Sequence, residues 1–208
     1  MNGMWDPALC YHSSESIRAD MPLNKPAHKK ATYEDLLAVP ENLVAEILSG
    51  ELHTHPRPGP RHSLASTLLT AVIAGHFDRT SNDGPGGWWI LDEPECHLDS
   101  DVAVPDIAGW RQTTMPELPE TAHIEIRPDW VCEVLSPSTA QIDRVIKREI
   151  YASHGVHNYW LVDPLERMLE AFTLSNGQWV LSAAIRDNDK AIVPPFEKMP
   201  FDLGRLWA

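Results

Sequence analysis

The sequence predicts a mixed β-sheet flanked by α-helices, an α/β or α+β domain, on three observations. Strand-length apolar runs alternate with helical stretches along most of the chain. One run, DWVCEVL at 129–135, is too short for a helix and apolar enough to be a central strand buried on both faces. The segment 62–78 carries Leu64, Leu68, Leu69, Val72, Ile73 and Phe77 at three- and four-residue steps, the stripe of a helix lying on a core. At 208 residues the chain can bury such a core, and neither an internal repeat nor a second domain is legible.

Taken in order, residues 1–30 mix Ser, Asp, Pro and Asn with a small basic patch (Lys25, His28, Lys29, Lys30) and read as a loosely packed or disordered tail. Residues 31–39 predict a short helix: Thr32 caps it, Glu34 and Asp35 fill its first turn, and Pro40 follows its end. Residues 43–54 read as two strands around Ser49-Gly50. A Pro/Gly loop, Arg57 to Arg61, leads into the 62–78 helix. After the loop SNDGPGG come a strand GWWIL, a short strand at 95–98, and a strand over 102–110 interrupted by Pro105. A Pro-rich loop covers 111–128, and the central strand follows. Ser136 to Thr139 close that strand and cap a helix over 140–154, which Gly155 ends. HNYWLVD is a strand stopped by Pro164, and 168–174 with 178–185 form a hairpin around Asn176-Gly177.

Composition narrows the function classes. No run of 18 apolar residues exists, so no membrane span is expected, and Met1 to Asp20 lack the apolar core of a signal peptide. Cys10, Cys96 and Cys132 are isolated and odd in number, which fits a reducing cytoplasm better than a disulfide framework or zinc ribbon. The formal charge of −13 argues against holding nucleic acid mainly through a basic surface. It leaves open an enzyme whose carboxylates are masked by metal ions.

Glu46, Asp106 and Glu133 fall at ends or interruptions of the predicted strands. Glu133 breaks an otherwise apolar run, and a buried carboxylate is costly unless paired or bound to a cation. A salt bridge to an arginine satisfies it as well as a metal does. Two carboxylates on neighbouring strands with a lysine nearby shift the balance toward a hard divalent ion. On the following helix, at about 100° per residue, Ile142, Val145, Ile146 and Ile150 share one face, with Lys147 on its flank and Arg144 and Arg148 toward solvent. Lys147 either reaches along the sheet to a carboxylate or forms a solvated pair with Asp143 one turn before it. Glu149 falls near the apolar face without an evident reason.

Val104-Pro105-Asp106, the run from Cys132 to Thr139 (CEVLSPST), then Asp143, Lys147 and Tyr151, and Gly155 to Pro164 (GVHNYWLVDP) together resemble the signature of the Uma-type family. That family comprises restriction-endonuclease-like proteins of the PD-(D/E)xK nuclease superfamily. Tyr33 to Leu37, Glu46, Gly50-Glu51 and Pro58 to His62 resemble its opening segment, so the resemblance covers roughly residues 31–208. It implies a restriction-endonuclease-like mixed sheet and a metal-dependent phosphodiesterase site. Asp106, Glu133 and the Val134 carbonyl would hold Mg²⁺ or Mn²⁺, Glu46 would act at one remove, and Lys147 would orient the attacking water and stabilise phosphate charge. Leu135 stands where the wider superfamily has its lysine, and Lys147 is the candidate replacement. Arg61, His62 and Tyr151 are the candidates for contacting substrate.

The expected function is a Mg²⁺- or Mn²⁺-dependent endonuclease acting on nucleic acid, DNA foremost, as a homodimer. The alternative is a catalytically idle nuclease fold serving as a binding module. Other signals are plainer. His53, His55 and His62 have metal-like spacing, but no HExxH or CxxC accompanies them, so a surface or substrate-lining loop is preferred to zinc. His62 at a helix start can instead meet a phosphate. Ser136 lacks a G-x-S-x-G elbow and suits turn and capping duty. Trp88, Trp89 and Trp110 on strands suit a core better than base stacking.

Overall fold

Thr32 caps the first helix, α1 (Tyr33–Leu37): its hydroxyl accepts from the Asp35 amide while the Asp35 carboxylate accepts from the Thr32 amide, the reciprocal capping box. The computed structural model describes residues 29–80 and 86–208; the expected tail up to His28, Cys10 with it, and the 81–85 part of the expected loop lie outside the described residues. Strands β1 (Leu43–Leu48) and β2 (Glu51–Pro56) meet at Ser49-Gly50, whose φ values of 54° and 82° are those of a tight primed turn. Helix α2 (Pro60–Phe77) opens with proline in its first turn, where the missing N–H costs nothing. Then come β3 (Trp88–Asp92), β4 (Cys96–Leu98), β5 (Asp101–Ala103), β6 (Ile107–Arg111) and β7 (Trp130–Val134). A π-helical turn (Ile142–Lys147) runs on into α3 (Arg148–Ser153). Strands β8 (Asn158–Asp163), β9 (Met168–Ser175), β10 (Gln178–Arg186), β11 (Lys190–Ala191) and β12 (Phe201–Asp202) follow.

The strands form a six-stranded sheet ordered β10-β9-β8-β7-β6-β3, a four-stranded sheet ordered β2-β1-β5-β4, and a small β11-β12 pair. Only β7 and β8 run parallel in the large sheet, so it is mixed, and β7 is interior as its apolar run predicts. The single strand expected over 102–110 is instead two. Pro105 offers no N–H to a ladder, so pairing stops there. The chain leaves the small sheet after Ala103 and enters the large one at Ile107. That crossing places Val104, Pro105 and Asp106 at the junction of the two sheets.

Period-2 alternation sorts the large sheet into two cores. Trp130, Cys132 and Val134 pack with Trp160, Val162 and Ile107 against Ala65, Leu69, Ile73 and Phe77 of α2. Val131, Leu135, Ala108, Trp110, Tyr159 and Leu161 face the other way, toward Ile150 and Tyr151 of α3 and Leu48 and Ala103 of the small sheet. Glu133 therefore projects into the second layer. Gly109 lets the first layer close: a Cβ there would lie 3.0 Å from Trp130 Cε3 and 3.1 Å from Ile90 Cδ1. Gly109→Ala is expected to lower stability by about 1–3 kcal/mol through overpacking, read as a lower urea midpoint at unchanged slope.

The helix after β7 differs from expectation. Its buried residues are Asp143, Lys147, Ile150 and Tyr151, while Val145 is 52% exposed and Ile142 and Ile146 are half-buried. Lys147 thus lies on the inward face rather than its flank, because the carboxylates beneath it draw the charged stripe inward. Arg144 and Arg148 are partly exposed as expected, but each is engaged: Arg144 pairs with Glu170 at 2.7 Å and Arg148 stacks 4.7 Å over the Phe172 ring. Glu149, expected near the apolar face, is exposed.

Candidate active site

Four segments converge on one cavity of about 220 Å³, lined by His55, Arg57, His62, Asp106, Glu133, Asp143 and Lys147 among others. Each arrives for a local reason. In the antiparallel β6–β7 ladder Ile107 opposes Cys132, so Asp106 falls beside Glu133 at its end. The Asp106 amide donates to Glu133 Oε2 at 3.3 Å, and the Val134 amide donates to Asp106 Oδ2 at 2.7 Å. The first turn of α2 brings His62 Nε2 to 3.1 Å from the same Asp106 oxygen. Glu46 comes from β1, where its Oε1 accepts from the Val104 amide at 2.7 Å and its Oε2 lies 3.6 Å from His55 Nε2.

Lys147 is the hub. Its Nζ lies 2.9 Å from Glu46, 3.2 Å from Glu133 and 3.5 Å from Asp143, and the residue is only 3% exposed. Lys147 thus reaches the carboxylates, and its pair with Asp143 is buried rather than solvated as the alternative had it. No arginine satisfies Glu133; its Oε1 accepts from Lys147 and, at 2.7 Å, from the hydroxyl of Tyr151. Tyr151, expected to touch substrate, is fully buried beneath Glu133 and positions that carboxylate. Tyr151→Phe removes this bond and is expected to cost about 1–3 kcal/mol in a denaturation titration.

The electrostatics follow from burial and crowding. Burial pushes the Glu133 carboxyl well above the usual range against the pull of Lys147, with Asp143, Asp106 and Glu46 adding to the rise. Asp143 is raised for the same first reason, burial. Burial works against Glu46 too, yet Lys147 and the His55 and Val104 contacts hold it below the usual range. Burial disfavours the Lys147 ammonium, but Glu133, Glu46 and Asp143 outweigh it and keep the proton on. For His62, burial is overcome by the bond to Asp106, and its proton is held more tightly than usual. Asp106, Glu133 and Asp143 thus line one cavity with Glu46 behind Lys147, a cluster of hard oxygen donors. That donor set fits a divalent cation such as Mg²⁺ or Mn²⁺.

Other expected residues are placed as follows. Arg61 is exposed and lines a separate groove with Pro137, Pro164 and Leu165, whereas Arg57 lines the cavity itself while bonding the Glu41 carbonyl at 3.2 Å. Among the described residues the donor atoms of His53, His55 and His62 do not come together as a zinc site; His55 lies against Glu46 and His62 against Asp106. Ser136 accepts from the Thr139 amide, the turn duty expected of it. Trp88 and Trp110 are buried, as a core role requires, while half-buried Trp89 bonds the Met115 carbonyl and carries the Arg79 guanidinium 4.8 Å over its ring. Sequence reasoning missed His55 as a partner of Glu46; its signal was the hairpin register, which puts alternate residues of β2 over β1.

The family model described as "Uma2: Putative restriction endonuclease" matches residues 31–203. A crystal structure described as a putative nuclease belonging to DUF820 from Anabaena variabilis ATCC 29413 is similar with a TM-score of 0.68 at 22% identity, covering 85% of this chain and 97% of that one. At that identity the likeness speaks for the fold. No protein of curated function matches the chain. Among the described residues no helix is long and apolar enough to cross a membrane.

Proposed function

We propose, for a chain that belongs to the Uma2 family, that the cavity is the active site of a divalent-cation-dependent endonuclease whose substrate is DNA. The observation that carries this is the buried Glu133 set beside Asp106 in one cavity, with Glu133, Glu46 and Asp143 crowded on the single buried ammonium of Lys147. An inert fold has no use for so much buried like charge, whereas a cation site does.

Asp106 and Glu133 would hold Mg²⁺ or Mn²⁺, with the Val134 carbonyl as a further donor. When bound, the ion supplies Lewis acidity, polarising a phosphate and lowering the pKa of a bound water. The remaining work falls to this chain's own groups. Tyr151 and Lys147 fix the Glu133 carboxylate from below, and the Val134 amide and His62 fix Asp106 from the side. Lys147 supplies the fixed positive charge at the cavity floor that favours a phosphorane-like transition state. Arg57 in the cavity and Arg61 in the adjoining groove would serve as phosphate contacts on an otherwise acidic chain. Glu46 keeps Lys147 protonated and in place.

The test is incubation of single- and double-stranded DNA and RNA with the protein and millimolar Mg²⁺ or Mn²⁺. Cleavage of DNA that stops with EDTA and returns with added Mg²⁺ is the expected result; equal cleavage in EDTA would defeat the proposal. The idle binding module is the second reading. It draws on the engagement of Lys147 with three carboxylates, and DNA binding without cleavage under every ion would favour it.

A further inference from the structure

A second cluster of ligand-type side chains lies apart from the cavity, and sequence reasoning did not see it. Glu95 and His97 flank Cys96, so the two share one face while the Cys96 thiol turns into the core, fully buried. The segment around Ile124 runs parallel beside β4: Cys96 bridges Ile124, the His97 amide donates to the Ile124 carbonyl at 2.9 Å, and the Ile124 amide donates to the Glu95 carbonyl at 2.9 Å. These bonds clamp His123 next to His97, and the two imidazoles stack with centroids 4.0 Å apart and planes at 16°. Glu95 Oε1 lies 2.8 Å from His97 Nε2 and also accepts, at 2.8 Å, from the hydroxyl of Tyr33 on α1.

The donor atoms of Glu95, His97 and His123 all lie within 4.8 Å of one another. We propose that these three residues form a transition-metal site, filled by Zn²⁺ or an ion of similar borderline softness and distinct from the carboxylate site of Asp106 and Glu133. Two imidazoles and one carboxylate make a donor set that suits zinc and does not suit Mg²⁺. Bonds of 2.0–2.1 Å around a tetrahedral ion set ligand atoms about 3.3 Å apart. Side-chain rotation closes the present spread, because the backbones on both sides are already fixed by the clamp. The ion takes the place of the contact between His97 Nε2 and Glu95 Oε1. Tyr33 then serves as the hydrogen-bond donor that orients the ligating carboxylate. Occupied, the site ties α1, β4 and the 112–128 loop together, and a fourth position is left for water.

The test is calorimetric titration of ZnCl₂ into the full chain, with millimolar Mg²⁺ present to occupy the carboxylate pocket. The wild-type protein is expected to take up one equivalent of Zn²⁺ and to melt at higher temperature with it. His97→Ala/His123→Ala is expected to weaken that binding at least 10–100-fold, as large as the loss of an outer-shell partner. His123→Gln, which keeps the polar volume, should do the same if the double variant fails to fold. Asp106→Asn should leave the equivalent intact. Absence of Zn²⁺ uptake by the wild type, or uptake unchanged in the histidine variants, would overturn the proposal. So would uptake that disappears in Asp106→Asn alone.

Discussion

Replacing Lys147 by alanine is expected to lower stability at neutral pH by about 3–5 kcal/mol, the cost of leaving buried charges without their partner. Three carboxylates lean on this one ammonium, at 2.9, 3.2 and 3.5 Å. Without it, burial and the neighbouring carboxylates act unopposed on Glu133 and Asp143, which would bind protons still more tightly in the folded than in the unfolded chain, while Glu46 keeps only its His55 and Val104 contacts. A carboxyl whose folded pKa is raised loses folding stability as pH climbs through the window between its unfolded and folded values. The deficit of the variant should therefore shrink on going from pH 8 to pH 5, as those carboxyls take up protons in the folded chain while remaining largely ionised in the unfolded one. Urea denaturation of wild type and Lys147→Ala across that range reads both the size and the sign. A deficit under about 1 kcal/mol, or one that grows toward pH 5, would mean that the lysine is not the partner holding these carboxylates.

Asp106→Asn should have the opposite profile: a large loss of activity with little loss of fold. Asparagine keeps an oxygen for the Val134 amide and the same volume, but it removes a charged cation ligand and the negative charge that faces Glu133. Cleavage is expected to fall by about 100-fold or more, since each 1.36 kcal/mol of lost transition-state stabilisation is a factor of ten and a metal supplies several. Stability should change by less than about 1 kcal/mol, or rise, because crowding of like charge at Glu133 is relieved. Single-turnover rates beside a thermal melt separate the two effects. Full activity in Asp106→Asn would remove this residue from the cation site.

Much of this was legible because the local signals agreed with the fold. The run 130–135 (WVCEVL) holds a buried interior strand since no charged residue but Glu133 interrupts it, and that exception is itself at the candidate site. Ser49-Gly50 and Asn176-Gly177 mark hairpins because only residues tolerant of positive φ make those turns. What was not legible depends on contacts between distant segments. Helical periodicity put Val145 inside and Lys147 at the flank; Glu46, Glu133 and Asp143 reverse this, pulling a charge inward where period alone expects a valine. Pro105 announced an interruption, but not that the strand would be divided between two sheets. His97 and His123 are separated by a loop whose path no spacing rule supplies, so their stacking emerges only from the bridge between Cys96 and Ile124.

The central claim is that the buried Asp106–Glu133 pair is a cation-dependent phosphodiesterase centre. Its most direct test is plasmid cleavage by the wild-type protein and by Glu133→Gln, purified side by side and assayed in Mg²⁺ and in Mn²⁺. The account predicts nicking or linearisation by the wild type and none by the variant, in both ions. Equal cleavage by the two proteins, or none by the wild type in either ion, would contradict it.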